Sequence, residues 1–158
     1  MNIDGYYYLH VNGSLIYKRG SESVVDLRDS DLVQGFWPFS SDDRESVWRI
    51  CVEGLATGAK PERIRELADL WQCDDDDARN YAERLGVELY MDGNKWCAIG
   101  PGHINLQESP TGFGDTCLEA MADLAKAYGY KPSKMWGHTL QSLMQSRDPA
   151  SGQFGVGA

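Results

Sequence analysis

Val87-Glu88-Leu89-Tyr90-Met91-Asp92-Gly93-Asn94-Lys95-Trp96-Cys97-Ala98-Ile99 is the stretch on which the fold turns. Residues 87–91 alternate, Asp92-Gly93-Asn94 is a turn, and 95–99 returns as a second run of β-formers. Two such runs folded about a glycine-containing turn make an antiparallel hairpin. Gly100-Pro101-Gly102 turns the chain again, so His103–Glu108 is expected as a third strand of a meander and Pro110–Gly114 as a loop.

Helices flank this block on both sides. Upstream, Pro61 stands at a helix start, where its missing N–H costs nothing, and Ile64, Leu67, Ala68 and Trp71 follow at helical spacing. Asp74 is expected to cap the next helix, with Ala78, Tyr81, Ala82 and Leu85 on one face and Gly86 at its end. An earlier helix is expected from a cap at Ser40 or Ser41 to Gly58, with Val47, Ile50, Cys51 and Leu55 as its apolar stripe. Downstream, Thr116 and Glu119 have capping-box spacing ahead of a helix that buries Leu118, Met121, Ala122, Ala125 and Tyr128 and stops at Gly129. A shorter helix is expected over about residues 133–145, carrying Trp136, Leu140, Leu143 and Met144.

At the N-terminal end, Tyr6–Val11 and Ser14–Lys18 flank Asn12-Gly13, the strongest short hairpin signal, with both turn residues expected at positive φ. Gly35-Phe36-Trp37-Pro38-Phe39 is expected as an aromatic loop. The order is therefore an N-terminal β-hairpin, a three-helix segment, an antiparallel three-stranded meander and C-terminal helices. Strands and helices segregated into blocks define an α+β fold rather than a doubly wound sheet. Residues 1–145 are expected as one domain, with sub-units at 1–86 and 87–145, and the Gly- and Ser-rich residues 146–158 as a flexible tail.

The 158 residues carry 24 acids against 15 Lys and Arg, a net charge of −9. Residues 126–158 hold four of those cations and one acid, a surplus of three, which leaves −12 on residues 1–125. A body this acidic repels phosphate backbones and favours a basic protein surface. An apolar fraction of 42% excludes global disorder, and the apolar runs are too short for a membrane span or a secretory segment. Cys51, Cys73, Cys97 and Cys117 form no CxxC, so neither a disulfide framework nor a zinc site is indicated, and a reduced, cytoplasmic protein is expected.

Candidate chemistry is sparse. The two helices of 61–86 resemble a helix-turn-helix, but the end that would enter the groove is Asp74-Asp75-Asp76-Asp77, aimed at phosphates it would repel. That run lacks the alternating spacing of a calcium loop and has no metal-site pattern. As a mimic of phosphates, Asp75, Asp76 and Asp77 are candidates for binding a basic partner. Cys117 sits at a helix start, where a thiolate is stabilised, but no base is nameable beside it from sequence, and His10, His103 and His138 carry no catalytic motif. Gly112-Phe113-Gly114-Asp115 lacks the lysine of a phosphate loop. No enzyme activity and no cofactor are expected. Tyr7, Phe36 and Trp37 complete the partner-binding candidates, because aromatics supply rigid contact area.

Tyr7-Tyr8-Leu9-His10-Val11-Asn12-Gly13 with Leu15-Ile16-Tyr17-Lys18, and Asn105 to Thr116, resemble a family of small phage and prophage proteins over most of the chain to about residue 131. The resemblance implies an accessory protein of the host cytoplasm that binds a host or phage protein, as an inhibitor of a defence or nucleic-acid-handling system. Gly114-Asp115-Thr116-Cys117-Leu118-Glu119-Ala120 and the strands before it are similar to the GDTxxEA element of HicB-like antitoxin domains, over roughly residues 87–128. That similarity implies strands followed by a helix, and with the helix pair 61–86 it makes a DNA- or RNA-binding regulator the alternative function. Lys126, Lys131 and Lys134 would then meet the phosphates.

Overall fold

Asn12-Gly13 turns the chain as expected, by a different route. In the computed structural model, which describes residues 3–20, 33–101, 109–131 and 139–146, β1 (Gly5–His10) pairs antiparallel with β2 (Leu15–Arg19). Only Gly13 takes positive φ, at 89°. Its N–H donates to His10 O at 2.9 Å, and His10 N–H donates to Ser14 O at 2.9 Å. Asn12 keeps negative φ and its Oδ1 accepts the Ser14 N–H instead. This is the pattern of a type I turn followed by a left-handed glycine, which needs one such residue where a type I′ turn needs two.

The aromatic segment expected as a loop is a strand. β3 (Val33–Phe39) lies on the other side of β1, giving the order β2-β1-β3. The register sets Tyr7 opposite Trp37, Tyr8 opposite Phe36 and Tyr6 opposite Pro38. Because His10 turns its N–H to β2, the even-numbered residues of β1 face β2, and Pro38, opposite Tyr6, has its nitrogen on the outer edge. A proline is tolerated there because no ladder bond is lost.

α1 (Arg44–Ala56) starts at Asp43, whose side chain accepts the Glu45 N–H, one turn later than the Ser40 or Ser41 cap expected from sequence. It buries Val47, Trp48, Ile50, Cys51 and Val52 and so is apolar around more of its girth than a surface helix. Glu53 lies on the same helix, fully buried, and its Oε1 accepts the Trp37 Nε1–H at 3.0 Å. α2 (Pro61–Leu70) begins at the expected proline and buries Ile64 and Leu67. Each large apolar side chain buried this way contributes about 1.5–3 kcal/mol. The Arg44 guanidinium donates to Trp71 O and Gln72 O at 3.2 Å each, satisfying carbonyls left over at the end of α2.

The chain divides into two compact units, the first taking in the residues up to Asp74 together with Lys131, and the second Asp75–Tyr130 and the last helix. The pair expected as one helix-turn-helix is thereby shared out, α2 in the first unit and α3 (Asp75–Leu85) in the second. α3 buries Ala78, Tyr81, Ala82 and Leu85, and Gly86 ends it at φ 79°.

The second sheet has the order β4-β5-β6, from β4 (Glu88–Asp92), β5 (Lys95–Ile99) and β6 (Thr111–Gly114). Gly93 and Asn94 form a two-residue connection in which only Gly93 has positive φ. β6 occupies residues expected as a loop, and the strand expected at His103–Glu108 lies outside the described residues. α4 (Cys117–Ala127) lies so close on β6 that a Cβ on Gly112 would be 2.2 Å from both Ala120 O and Leu124 N. Thr116 caps it, accepting the Glu119 N–H at 3.1 Å, and Glu119 Oε1 reaches back to the Asp115 N–H at 3.1 Å. α5 (Leu140–Ser146) buries Leu140 and Met144, and the expected earlier part of that helix lies outside the described residues. Two antiparallel three-stranded sheets with helices in separate blocks are an α+β fold. No helix among the described residues is long and apolar enough to cross a membrane.

Candidate interaction surface

The aromatic candidates of the first unit are committed to its core. Trp37 is 2% exposed and bonded to Glu53, and Phe36 meets Tyr6 edge-on at 5.7 Å. Tyr7 is half-buried between Tyr17, at 5.0 Å, and Phe39, at 5.3 Å. Burial pushes the phenols of Tyr6 and Tyr7 up, since the charged form loses its hydration. Both faces of this sheet carry buried aromatics, so its rings contribute packing rather than an open patch.

The aspartates stand in the first turn of α3, where the helix dipole favours negative charge. Asp75 opens the helix, Asp76 is exposed and paired with Arg79, and Asp77 is half-buried. The Arg79 guanidinium also lies over the Trp96 ring, 5.9 Å from its centroid, so Asp76 is paired with a cation that rests on the sheet. Lys126 is exposed in the last turn of α4 and belongs to the second unit, Lys131 is exposed and belongs to the first, and Lys134 lies outside the described residues.

Sequence reasoning passed over the β4 edge. Register puts Tyr90, Cys97 and Phe113 side by side on one face of the second sheet, while Gly112 and Gly114 on the other face receive α4. Tyr90 is 39% exposed and Phe113 43%, and the two rings flank a Cys97 that is fully buried. The Tyr90 hydroxyl hydrogen-bonds to Cys97, and that bond, with partial burial and the nearby acids Asp92 and Glu88, holds the phenol above its ordinary range. Met91, on the opposite face, is 54% exposed. Glu88 and Asp92 stand at the two ends of β4, both exposed. Alternation of Glu88, Tyr90 and Asp92 against Leu89 and Met91 was the signal for this edge: one face is apolar and the other carries two acids around a tyrosine, as on a strand covered from one side only.

Beside the edge runs an open groove of about 410 Å³, lined by Arg79, Ala82 and Glu83 of α3 and by Val87, Glu88 and Leu89. At the far margin of the sheet, Lys95 and Asp115 pair at 2.5 Å, and that bond raises the lysine pKa. Among the described residues no group of three or more His, Cys, Asp or Glu side chains is placed to hold a metal ion. None of the four cysteines is in a disulfide, Cys51, Cys97 and Cys117 being buried and Cys73 half-buried. Cys117, the one thiol at a helix start, is fully buried, so it has no access to a substrate in this conformation.

No protein-family model, curated protein or solved structure matches the chain.

Proposed function

We propose that this protein is a non-enzymatic binding module whose acidic surface docks onto a basic surface of another protein, as a phage or prophage accessory factor that inhibits a host defence or nucleic-acid-handling system. One observation carries the binding part of this reading: the acid excess stands at the surface. Glu62, Glu66 and Asp69 on α2, Asp76 and Glu83 on α3, and Glu88 and Asp92 on β4 are all exposed. A field of that sign gathers cationic partners and speeds their approach, and it opposes a phosphate backbone by the term that dominates non-specific nucleic-acid binding. The phage setting rests on the resemblance of residues 7–18 and 105–116.

Co-purification from bacterial lysate at low and high salt tests the reading. A basic protein retained at low salt and released at high salt is expected, with weaker retention by the chain carrying Asp75→Asn, Asp76→Asn and Asp77→Asn. Salt-linked association of the purified chain with DNA or RNA, and no protein partner, overturns it. The regulator reading has its own support in the exposed Lys126 and Lys131, and gel shifts at low salt decide between the two.

A further inference from the structure

β4 is an edge strand whose residues are exposed but for the half-buried Leu89, and its geometry specifies what would pair with it. The two-residue connection makes Asp92 and Lys95 a hydrogen-bonded pair, so Tyr90 with Cys97 and Glu88 with Ile99 are hydrogen-bonded pairs as well. The N–H and C=O groups of Leu89 and Met91 therefore point outward, and among the described residues no strand other than β5 pairs with β4. Leu89 also lines the groove against α3. An edge flanked by a helix-lined groove is the arrangement in which an added strand gains main-chain bonds from the edge and side-chain contacts from the groove.

Charge selects the occupant. A second copy of β4, antiparallel and centred on Tyr90, would set Glu88 against Asp92 twice, with like charges at the close approach of pairs that are not hydrogen-bonded. A strand with Lys or Arg at positions i and i+4 and an apolar residue at i+2 would instead face Glu88 and Asp92 with opposite charge and Tyr90 with an apolar contact. Its residues i+1 and i+3 would lie on the side of Leu89, Met91 and the groove, where apolar side chains fit best.

We propose that the β4 edge and its groove bind, by strand addition, an extended segment of a partner protein with basic residues four apart around an apolar centre. This rests on the acidic-surface reading above and names the site and partner motif within it. The probe is a fluorescein-labelled peptide with the core Lys-Val-Phe-Val-Lys, compared by anisotropy with Glu-Val-Phe-Val-Glu and with Lys-Pro-Phe-Pro-Lys, on the full chain. The basic peptide is expected to bind roughly tenfold or more tighter than either control, because the first control reverses both charge pairs and the second removes N–H donors. In the chain, Leu89→Pro deletes an outward N–H without touching the β4–β5 ladder and should abolish binding. The double variant Glu88→Lys, Asp92→Lys should switch preference to the acidic peptide, and this switch alone decides the site if Leu89→Pro fails to fold. Equal binding of the basic peptide to both variants overturns the site and leaves the acidic-surface reading standing. Failure of any basic probe to bind at low salt overturns both. Dimerisation of the chain that Leu89→Pro abolishes would make a second copy the occupant and overturn the proposal.

Discussion

Replacing Gly112 by alanine tests how the second sheet is held. The added Cβ would stand 2.2 Å from Ala120 O and 2.2 Å from Leu124 N. Ordinary contact begins near 3.4 Å, so β6 and α4 must separate by about 1 Å, and both obstacles are backbone, which cannot rotate away as a side chain can. The separation opens the contact around Ala120 and Leu124, both fully buried. Overpacking against backbone belongs at the upper end of its usual range, about 3 kcal/mol. Thermal unfolding followed by circular dichroism should show the midpoint of Gly112→Ala lowered by roughly 6–24 °C, the smaller figure applying if both units melt together and the larger if the second melts alone. A midpoint within about 2 °C of the parent would refute the claim that this glycine is dictated by the approach of the helix.

Other outcomes follow from single contacts. Thr116→Ala removes the acceptor for the Glu119 N–H and should cost about 1 kcal/mol in chemical denaturation, with Thr116→Ser close to the parent. Trp37→Phe strips Glu53 of its Nε1–H donor at full burial and should cost about 1–3 kcal/mol beyond the loss of ring volume, an excess that a double-mutant cycle with Glu53→Leu would isolate. Burial pushes the Cys51 thiol far above its ordinary value of 9.0, with the neighbouring Cys73 adding to the shift, so the folded chain keeps the proton that the unfolded chain releases. Stability should therefore be complete below about pH 9 and fall as pH rises past it, less steeply in Cys51→Ala up to about pH 10, where the raised tyrosines add the same sign. In the folded chain at neutral pH, Cys73 should react with a thiol reagent well before Cys51.

The α+β class and most helix limits were legible because the signals that set them are local. Pro61, Gly86 and the pair Thr116 and Glu119 act through their own backbone neighbours, and the structure has each where the spacing places it. Two strands were not legible. β3 contains Gly35 and Pro38, which punctuate a sequence as a loop does, yet the proline is harmless on an outer edge and the register with β1 supplies the rest. In β6, the glycines of Thr111-Gly112-Phe113-Gly114 read as turn residues, whereas their cause is a helix arriving from residues further along. Both failures have the same origin, a contact distant in sequence that no window of residues contains. Asp43 rather than Ser40 or Ser41 caps α1 for a smaller reason: Ser40 is buried, its N–H held by the Ser46 hydroxyl, so the helix starts after that exchange is complete. Of the interaction candidates, Asp76 lay where the charge pattern placed it, while Phe36 and Trp37 drew attention by size, and size is as much a property of cores as of contact surfaces.

The margin of β6 has a consequence for assembly. The Phe113 N–H, which faces away from β5, is taken by the Asp123 carboxylate at 2.9 Å. A carboxylate there occupies the donor and repels the carbonyl row of any newcomer. Among the described residues, the two margins of the second sheet therefore differ: at β6 an outward N–H is already taken by a side chain, and at β4 no further strand is paired. If β4 takes a guest strand as proposed, growth from chain to chain would still have to displace the Asp123 carboxylate at the β6 margin, which works against a fibre.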